Sequence, residues 1–173
     1  MRMALAREVG RLQPVASNVA WVGADHLHVT LKFLGATDED RLPAVREALA
    51  RAAGTASAFT LALRGLGAFP TPSRPRVIWA GAAEGAGALA ALAGTVDREL
   101  VALGVPPETR PFASHVTLGR VREPRRAPRL AEALATASER VFGTVTVDRL
   151  TLMRSDLSPR GARYTELAGF ALG

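Results

Sequence analysis

The sequence predicts a two-lobed protein of mixed helices and strands, and two observations support that fold class. Amphipathic helical segments alternate with short apolar strands that are bounded by glycine and proline. In addition, the tetrapeptide His-Val-Thr-Leu occurs at residues 28–31 and again 87 residues later, at residues 115–118. A helix precedes each copy, and a helix and a strand follow it. We therefore expect one bilobal domain over residues 1–173, with pseudo-repeats at about residues 1–65 and 76–172 that meet at a pseudo-two-fold axis.

The apolar periodicity and the positions of glycine and proline place each element in turn. A 3.6-residue period predicts helices at residues 4–12, 37–53, 86–103 and 129–137. A two-residue alternation predicts strands at residues 27–34, 59–63, 76–80, 114–121, 141–153 and 164–172. Five glycines and prolines at residues 65–75 predict a loop, which is the only plausible linker, and residues 155–161 predict a turn.

Composition excludes several classes of protein. Of the 173 residues, 48% are hydrophobic and 22% are charged, which is the balance of a folded chain and not of a disordered one. No apolar run reaches the ~18 residues of a membrane span, and the early charges near the N-terminus argue against a secretory signal. The absence of cysteine excludes disulfides, a thiolate nucleophile and a cysteine zinc site. We expect a cytoplasmic protein and a monomer.

The charge balance is compatible with a phosphate-bearing ligand. The chain has 22 Lys+Arg against 16 Asp+Glu, a net charge of +6, and Lys32 is its only lysine. Arginine presents a planar fork that matches phosphate oxygens, which favours a nucleic-acid or nucleotide partner. A GC-rich genome would also encode arginine in place of lysine, so charge alone leaves both explanations open.

The two His-x-Thr pairs are the strongest candidates for chemistry. Positions i and i+2 of a strand point to the same side, so His28 and Thr30 face together, as do His115 and Thr117. Near neutral pH one imidazole can be neutral and the other protonated. Such a pair can act as base and acid in an in-line displacement at phosphorus, each role contributing roughly 10²–10⁴ in rate. The threonine hydroxyls would hydrogen-bond the non-bridging oxygens, and the scheme requires no metal or other cofactor.

Two basic residues follow these pairs. Arg120 would supply a bidentate guanidinium for phosphate, but strict alternation places it on the face opposite His115. A bulge at Gly119 would return Arg120 to the side of the histidine. Lys32 is in phase with His28, and either adds charge beside the histidines or lies on a solvated surface.

A metal site is the competing interpretation of the histidines. His26 is in phase with His28, and together with His115 the two could form a three-histidine zinc site. The spacing is weakly specific, the two threonines would be unexplained, and no carboxylate is placed to support the ligands. We therefore expect no metal.

Several stretches, taken in order, carry a family resemblance. They are DHLHVTLKFLG at residues 25–35, GAFP at 67–70, PRVIW at 75–79, RPFASHVTLGR at 110–120, and LMRS at 152–155 followed by Gly161 and Tyr164. They resemble the two-histidine phosphoesterase superfamily, and within it the bacterial and archaeal RNA 2',3'-cyclic phosphodiesterases, also called 2'-5' RNA ligases. The likeness spans nearly the whole chain from Trp21 onward.

The resemblance implies a bilobal α+β fold in which two antiparallel sheets with outer helices flank a basic cleft. It implies hydrolysis of RNA 2',3'-cyclic phosphate ends to a 2'-phosphate, and reversible 2'-5' ligation of RNA ends such as tRNA halves. His28 then corresponds to the proton donor and His115 to the proton acceptor, a direction that pseudo-symmetry leaves open. Thr30, Thr117 and Arg120 correspond to the substrate-binding residues.

The resemblance also implies a stacking aromatic residue, and the chain departs from the family pattern at two places. Phe69 or Phe112 is expected to stack on a base. The family usually has proline before the second histidine, where this chain has Ser114, and we expect a minor backbone effect. Family members also start with an apolar strand that this chain lacks, so we expect the first lobe to be one strand short, with a sheet edge that is exposed or covered by another molecule.

Two other functions fit the same residues. One is a two-histidine phosphoesterase that acts on a different cyclic phosphate or on a 2'-5' oligonucleotide. The other is a noncatalytic module that binds RNA ends. A matched pair of histidines argues against the module, because binding alone requires no acid and base.

Overall fold

The chain forms two units, each assembled from three separate segments of sequence. The computed structural model describes residues 1–158 and 161–173. The first unit comprises Met1–Thr30, Thr60–Ala86 and Ser114–Val145, and the second comprises Leu31–Phe59, Gly87–Ala113 and Thr146–Gly173. Both contain helices and antiparallel strands, so the protein is of the α+β class that the family resemblance implies. The internal duplication and its pseudo-two-fold axis stay predictions.

A five-stranded sheet is the framework of the first unit. Its strands are β1 (Val19–Trp21), β2 (Phe59–Thr71), β3 (Arg74–Ala82), β4 (His115–Val121) and β5 (Val141–Val147). They lie in the order β1-β4-β3-β2-β5. The central strand β3 and its neighbour β4 bury Ile78, Ala80, Val116 and Leu118, which makes one face of this sheet part of the core.

Two helices belong to the first unit. Helix α1 (Arg2–Leu12) buries Leu5, Val9 and Leu12 at the three- and four-residue spacing of an amphipathic helix. Helix α4 (Pro128–Thr136) begins with proline in its first turn and buries Leu130 and Leu134.

Glu8 joins α1 to the start of β5. Glu8 is 3% exposed, and its carboxylate accepts hydrogen bonds from Arg140 at 2.5 and 2.6 Å. Arg11, one turn further along α1, donates to the same carboxylate at 3.0 Å. A buried carboxylate requires such partners because desolvation without them is costly.

The second unit has its own apolar core. Helices α2 (Leu42–Gly54) and α3 (Ala86–Val101) pack with the antiparallel strands β6 (Arg149–Ser158) and β7 (Gly161–Ala171). The core includes Val45, Leu49, Leu92, Val96, Leu100 and Leu152. Within the ranges that the structure covers, β6 and β7 pair only with each other. The expectation that the first lobe is one strand short, with a sheet edge that is exposed or covered by another molecule, stays a prediction. The predicted turn at residues 155–161 lies partly outside the described residues.

The strand predicted at residues 27–34 is wrong. Only Val29 pairs with the sheet, through an isolated antiparallel bridge to Val116. From Leu31 onward the chain belongs to the second unit, and Leu31 and Leu34 pack against the core of that unit. Alternating apolar residues in this stretch therefore reflect burial in two different places and not one continuous strand.

The loop predicted at residues 65–75 is also wrong, because this stretch is most of the β2–β3 hairpin. Gly65 adopts a positive φ of 78° where the register of β2 shifts, a conformation that glycine tolerates. A Cβ on Gly67 would overlap the indole of Trp79 on β3. Both glycines thus serve strand geometry, and neither marks a linker.

Two smaller corrections concern strands. The single strand predicted at residues 141–153 is two strands, β5 and β6, which belong to different sheets. Strand β1 was not predicted, since three residues are too few to show an alternation. Across the parts of the chain that the structure describes, no helix combines the length and the apolarity that crossing a bilayer requires.

Lys32 stabilises the second unit and is not a solvated surface charge as one expectation had it. Its side chain is only 4% exposed, and its ammonium donates to Asp97 and to the Pro106 carbonyl. Asp97 also accepts from the Glu108 amide at 3.1 Å. The hydrogen bond from Lys32 lowers the pKa of Asp97, against the opposing effect of burial, and the Glu108 amide lowers it further.

We expect Asp97→Asn to destabilise the protein in a pH-dependent way. A carboxyl whose pKa is lowered by folding stabilises above its unfolded pKa of ~3.9, and that contribution disappears as pH falls through the folded pKa. At pH 7 the variant should lose about 1–3 kcal/mol, because the buried ammonium keeps its charge without its partner. Urea unfolding at pH 7 and at pH values below 4 measures the difference, which should shrink in acid.

Glu99→Gln is the matched control, since Glu99 pairs with Arg51 on the exposed surface of the same unit. Exposed pairs contribute little, so this change should stay within about 0.5 kcal/mol at every pH. An Asp97→Asn effect that is equally large in acid and at neutrality would contradict the assignment.

Candidate active site

The two His-x-Thr motifs lie side by side within the first unit. The antiparallel bridge between Val29 and Val116 joins the central residues of the two motifs. In antiparallel register, the residue before Val29 lies opposite the residue after Val116, and the reverse. His28 is therefore opposite Thr117, and Thr30 is opposite His115.

This crosswise register places all four polar side chains on one face. Val116 is buried on the other face, and side chains alternate along each segment. The two histidines are diagonal neighbours, a relation that separates residues in adjacent strands by about 7–8 Å. A backbone spacing of this size would let both imidazoles reach one small tetrahedral group.

His28 is oriented by its own chain. It follows a single turn of 3-10 helix at Ala24–His26, and its Nδ1 lies 2.7 Å from the carbonyl oxygen of His26. A carbonyl oxygen only accepts, so Nδ1 carries the proton of this hydrogen bond. In the neutral ring Nε2 is then the unprotonated nitrogen, and in the cation Nε2 carries the second proton. Nε2 is thus the atom of His28 that can exchange a proton with a substrate.

His115 is held by the sheet and by an aromatic ring. It is the first residue of β4 and pairs with Gly81 of β3. Its imidazole packs against Phe69 in an edge-to-face contact, with centroids 5.2 Å apart and planes at 86°. Phe69 in turn contacts Trp79 at 5.3 Å. These aromatic contacts restrict the rotamers of the imidazole.

A bulge in β4 brings Arg120 to the same face as the histidine. Trp79 pairs with Thr117, whereas its neighbour Ile78 pairs with Gly119, so β4 has one extra residue at this point. Val77, two positions from Trp79 and on its face, pairs with Arg120. Arg120 therefore faces the same side as Thr117, and its side chain is exposed.

Beside the bulge, the side of Gly119 that faces β1 is crowded. A Cβ at this position would come within 2.6 Å of Val19 and 2.9 Å of the Trp21 ring on β1. Only glycine fits there without displacing the edge strand. Strict alternation would have excluded Arg120, and the bulge expected at Gly119 resolves the conflict.

Sequence reasoning overlooked Trp79. Its alternation with Val77 along β3 was the sequence signal that could have placed it on the face of the candidate site. Its ring covers Gly67 and lies beside Phe69. Its indole Nε1 is buried and has no hydrogen-bond partner within the portion of the chain that the structure describes. The other stacking candidate, Phe112, belongs to the second unit.

The three-histidine zinc site finds no support in the geometry. His26 lies in the 3-10 turn, and its backbone carbonyl contacts His28. Over residues 1–158 and 161–173, no group of three or more His, Cys, Asp or Glu side chains is arranged to hold a metal ion.

Fold and site together define a two-histidine phosphoesterase. The chain belongs to the 2'-5' RNA ligase superfamily, whose family model matches residues 2–159.

Its relatives and structural neighbours agree. An RNA 2',3'-cyclic phosphodiesterase of Aeropyrum pernix is 36% identical over 166 residues, which are 92% of this chain and 93% of that one. The enzyme of the same name from Methanothermobacter thermautotrophicus is 33% identical over 99% of this chain and 92% of its own. The crystal structure of TT0787 of Thermus thermophilus superposes with a TM-score of 0.81 at 32% identity, covering 99% of this chain and 91% of that one. E. coli LigT complexed with 3'-AMP superposes with a TM-score of 0.74 at 26% identity, covering 97% and 91%.

We expect Gly67→Ala to destabilise the first unit. The added Cβ would overlap the Trp79 indole, and a rigid ring in a packed site moves only by displacing its neighbour Phe69. Overpacking of this kind costs about 1–3 kcal/mol, which urea unfolding measures.

Gly10→Ala is the control, since its Cβ meets nothing within 4 Å and the residue lies inside α1. Replacing glycine by alanine in a helix should leave stability unchanged or raise it by up to about 1 kcal/mol. Equal stability of Gly67→Ala and the wild type would show that the indole does not lie over Gly67.

Proposed function

We propose that this chain is an RNA 2',3'-cyclic phosphodiesterase that opens the cyclic phosphate and leaves a 2'-phosphate. The crosswise register of His28, Thr30, His115 and Thr117 is the observation that carries the proposal. In that register the two imidazoles would face one small space, with a hydroxyl beside each, which supports the proposal. The names of the curated relatives support the same reaction.

The reaction requires one proton to be taken and one to be given. Water attacks phosphorus while His115 accepts its proton, and the bond between phosphorus and the 3' oxygen breaks. His28 donates a proton from Nε2 to that oxygen, which leaves as the 3' hydroxyl. The product retains the phosphate on the 2' oxygen. Proton exchange with water then restores a neutral His115 and a protonated His28.

The remaining polar groups stabilise charge on the phosphate. Thr30 and Thr117 donate their hydroxyl protons to the non-bridging oxygens, where negative charge develops in the transition state. Arg120, brought to this face by the bulge, adds a permanent positive charge and two parallel N–H donors. Phe69 restrains His115, and base stacking by Phe69 or Phe112 stays a prediction.

Finer aspects of the function belong to the same proposal. Ligation of RNA ends through a 2'-5' linkage is the same ring opening with a 5' hydroxyl in place of water, and the family's name supports it. We propose tRNA halves as one substrate, a monomeric enzyme, and the cytoplasm as its location.

Turnover of a nucleoside 2',3'-cyclic phosphate in the presence of EDTA tests the proposal. We expect a 2'-phosphate product, and we expect His28→Ala and His115→Ala to lower kcat by roughly 10²–10⁴ each. His26→Ala removes the third imidazole and keeps the backbone carbonyl, so it should remain close to the wild-type rate.

Each other outcome identifies a different function. A 3'-phosphate product would contradict the assignment of the leaving oxygen. Loss of activity in EDTA and in His26→Ala would favour the zinc site. Activity confined to 2'-5' oligonucleotides would indicate a different phosphoesterase, and binding without turnover would indicate an RNA-end-binding module.

A substrate with sulfur in place of the 3' oxygen distinguishes the two histidines. A thiolate leaves without a proton, so such a cyclic phosphorothiolate has no need of a general acid. We expect His28→Ala to recover most of its lost rate on this substrate and His115→Ala to recover none. The reverse pattern, measured in the same assay, would exchange the two roles.

A further inference from the structure

A cavity lined by arginines opens in the first unit, at the end of β4 away from His115. Its volume is about 190 Å³, enough for several water molecules or for one phosphate group. Val15, Val121 and Leu130 contribute apolar walls, and Arg125, Arg126 and Arg129 contribute guanidinium groups.

Within the described residues, these three arginines have no carboxylate partners. All are exposed, and the ion pairs found within residues 1–158 and 161–173 include none of them. Glu123 and Glu132 are the carboxylates closest to them in sequence, and neither is ion-paired there. Three like charges around one small volume repel each other unless an anion lies between them.

The loop that carries Arg125 and Arg126 is fixed at both ends. The Arg122 amide donates to the Asn18 carbonyl at 2.9 Å, and the Asn18 side-chain amide donates to the Glu123 carbonyl at 3.1 Å. At the other end, the Ala127 amide donates to the Ser73 carbonyl at 3.3 Å. The loop is therefore organised before any ligand arrives, which lowers the entropic cost of binding.

Further exposed arginines lie at the same end of the sheet as the cavity, on both of its faces. Arg120 faces the same side as Thr117, and Arg122 follows it at the end of β4. Arg74 and Arg76 lie at the start of the neighbouring strand β3, next to the Val77–Arg120 pair. All four side chains are exposed, so this end of the sheet is strongly positive.

We infer that the arginine cavity binds a backbone phosphate of the RNA strand, several nucleotides away from the cyclic end. Six strand positions separate His115 from Val121, a distance of about 20 Å along β4. A mononucleotide held at the histidines cannot reach that far, whereas an oligonucleotide can. The inference rests on the proposed function, since it assigns a second contact to the same RNA substrate.

The test compares two substrates in the double variant Arg125→Gln/Arg126→Gln. One substrate is uridine 2',3'-cyclic phosphate, and the other is a short single-stranded oligouridylate with the same cyclic end. We expect kcat/KM to fall roughly tenfold or more for the oligonucleotide, because charge-assisted hydrogen bonds to phosphate are lost. For the mononucleotide it should stay within about twofold, because that ligand never contacts the cavity.

Salt dependence gives an independent readout. For a single strand, each neutralised phosphate contributes about 0.7 to the slope of log affinity against log salt concentration. The double variant should therefore show a shallower slope for the oligonucleotide, by about 0.7 for each contact removed.

The control is Arg2→Gln/Arg7→Gln, which removes two exposed arginines of α1 and changes the net charge equally. An equal loss of kcat/KM in this control would mean that the effect comes from overall charge, and it would overturn the inference. So would an equal loss on both substrates, or an oligonucleotide that the wild type uses no better than the mononucleotide. Failure of the wild type to open the mononucleotide would instead contradict the proposed function.

Discussion

The pairing of Val29 with Val116 is the interaction on which the candidate site depends. Because side chains alternate along an extended chain, a shift of one residue in this bridge would turn His28 and Thr30 towards the core. The correct register is favoured by apolar burial, since Val116 is buried and the polar neighbours are not. Burial of Val116 thus favours the register in which these residues face each other across the bridge, and the catalytic proposal follows from that.

The bulge in β4 is a second constraint of the same kind. It places Arg120 on the face of Thr117 by adding one residue opposite β3, and it requires a glycine where β1 approaches closely. Neither constraint involves the chemistry of the histidines. Both concern the pairing of strands. The register of the sheet therefore determines which polar side chains share the candidate site.

Much of the fold could be predicted from the sequence, and the failures have physical causes. Helices with a clear apolar stripe, such as α1 and α2, follow from periodicity because burial of one face is a local property. The repeated His-x-Thr pairs identified the candidate residues because the repeat is visible in the sequence itself. Gly65 and Gly67 were misread because glycine serves both loops and crowded strands, and only the partner Trp79 reveals which applies. Lys32 could not be placed either, since its partner Asp97 is 65 residues away.

The arginines of this chain divide into two populations. Some pair with carboxylates, as Arg140 does with Glu8 and Arg51 with Glu99, and they stabilise their units. Others, among them those around the end of β4, are exposed and have no such partner in the region that the structure describes. A net charge of +6 therefore understates how unevenly positive charge is distributed, because pairing neutralises one population and leaves the other.

The interleaving of the two units bears on how the chain acquires its structure during synthesis. The unit that holds both histidines needs segments that end at Thr30, Ala86 and Val145, and the segments between them belong to the other unit. The first unit therefore lacks its last segment until most of the chain has left the ribosome. Contacts of long sequence separation form slowly, because the intervening loops must close first. A nascent chain that stops before β5 would leave the outer edge of β2 unpaired, which makes such truncated products substrates for chaperones and proteases.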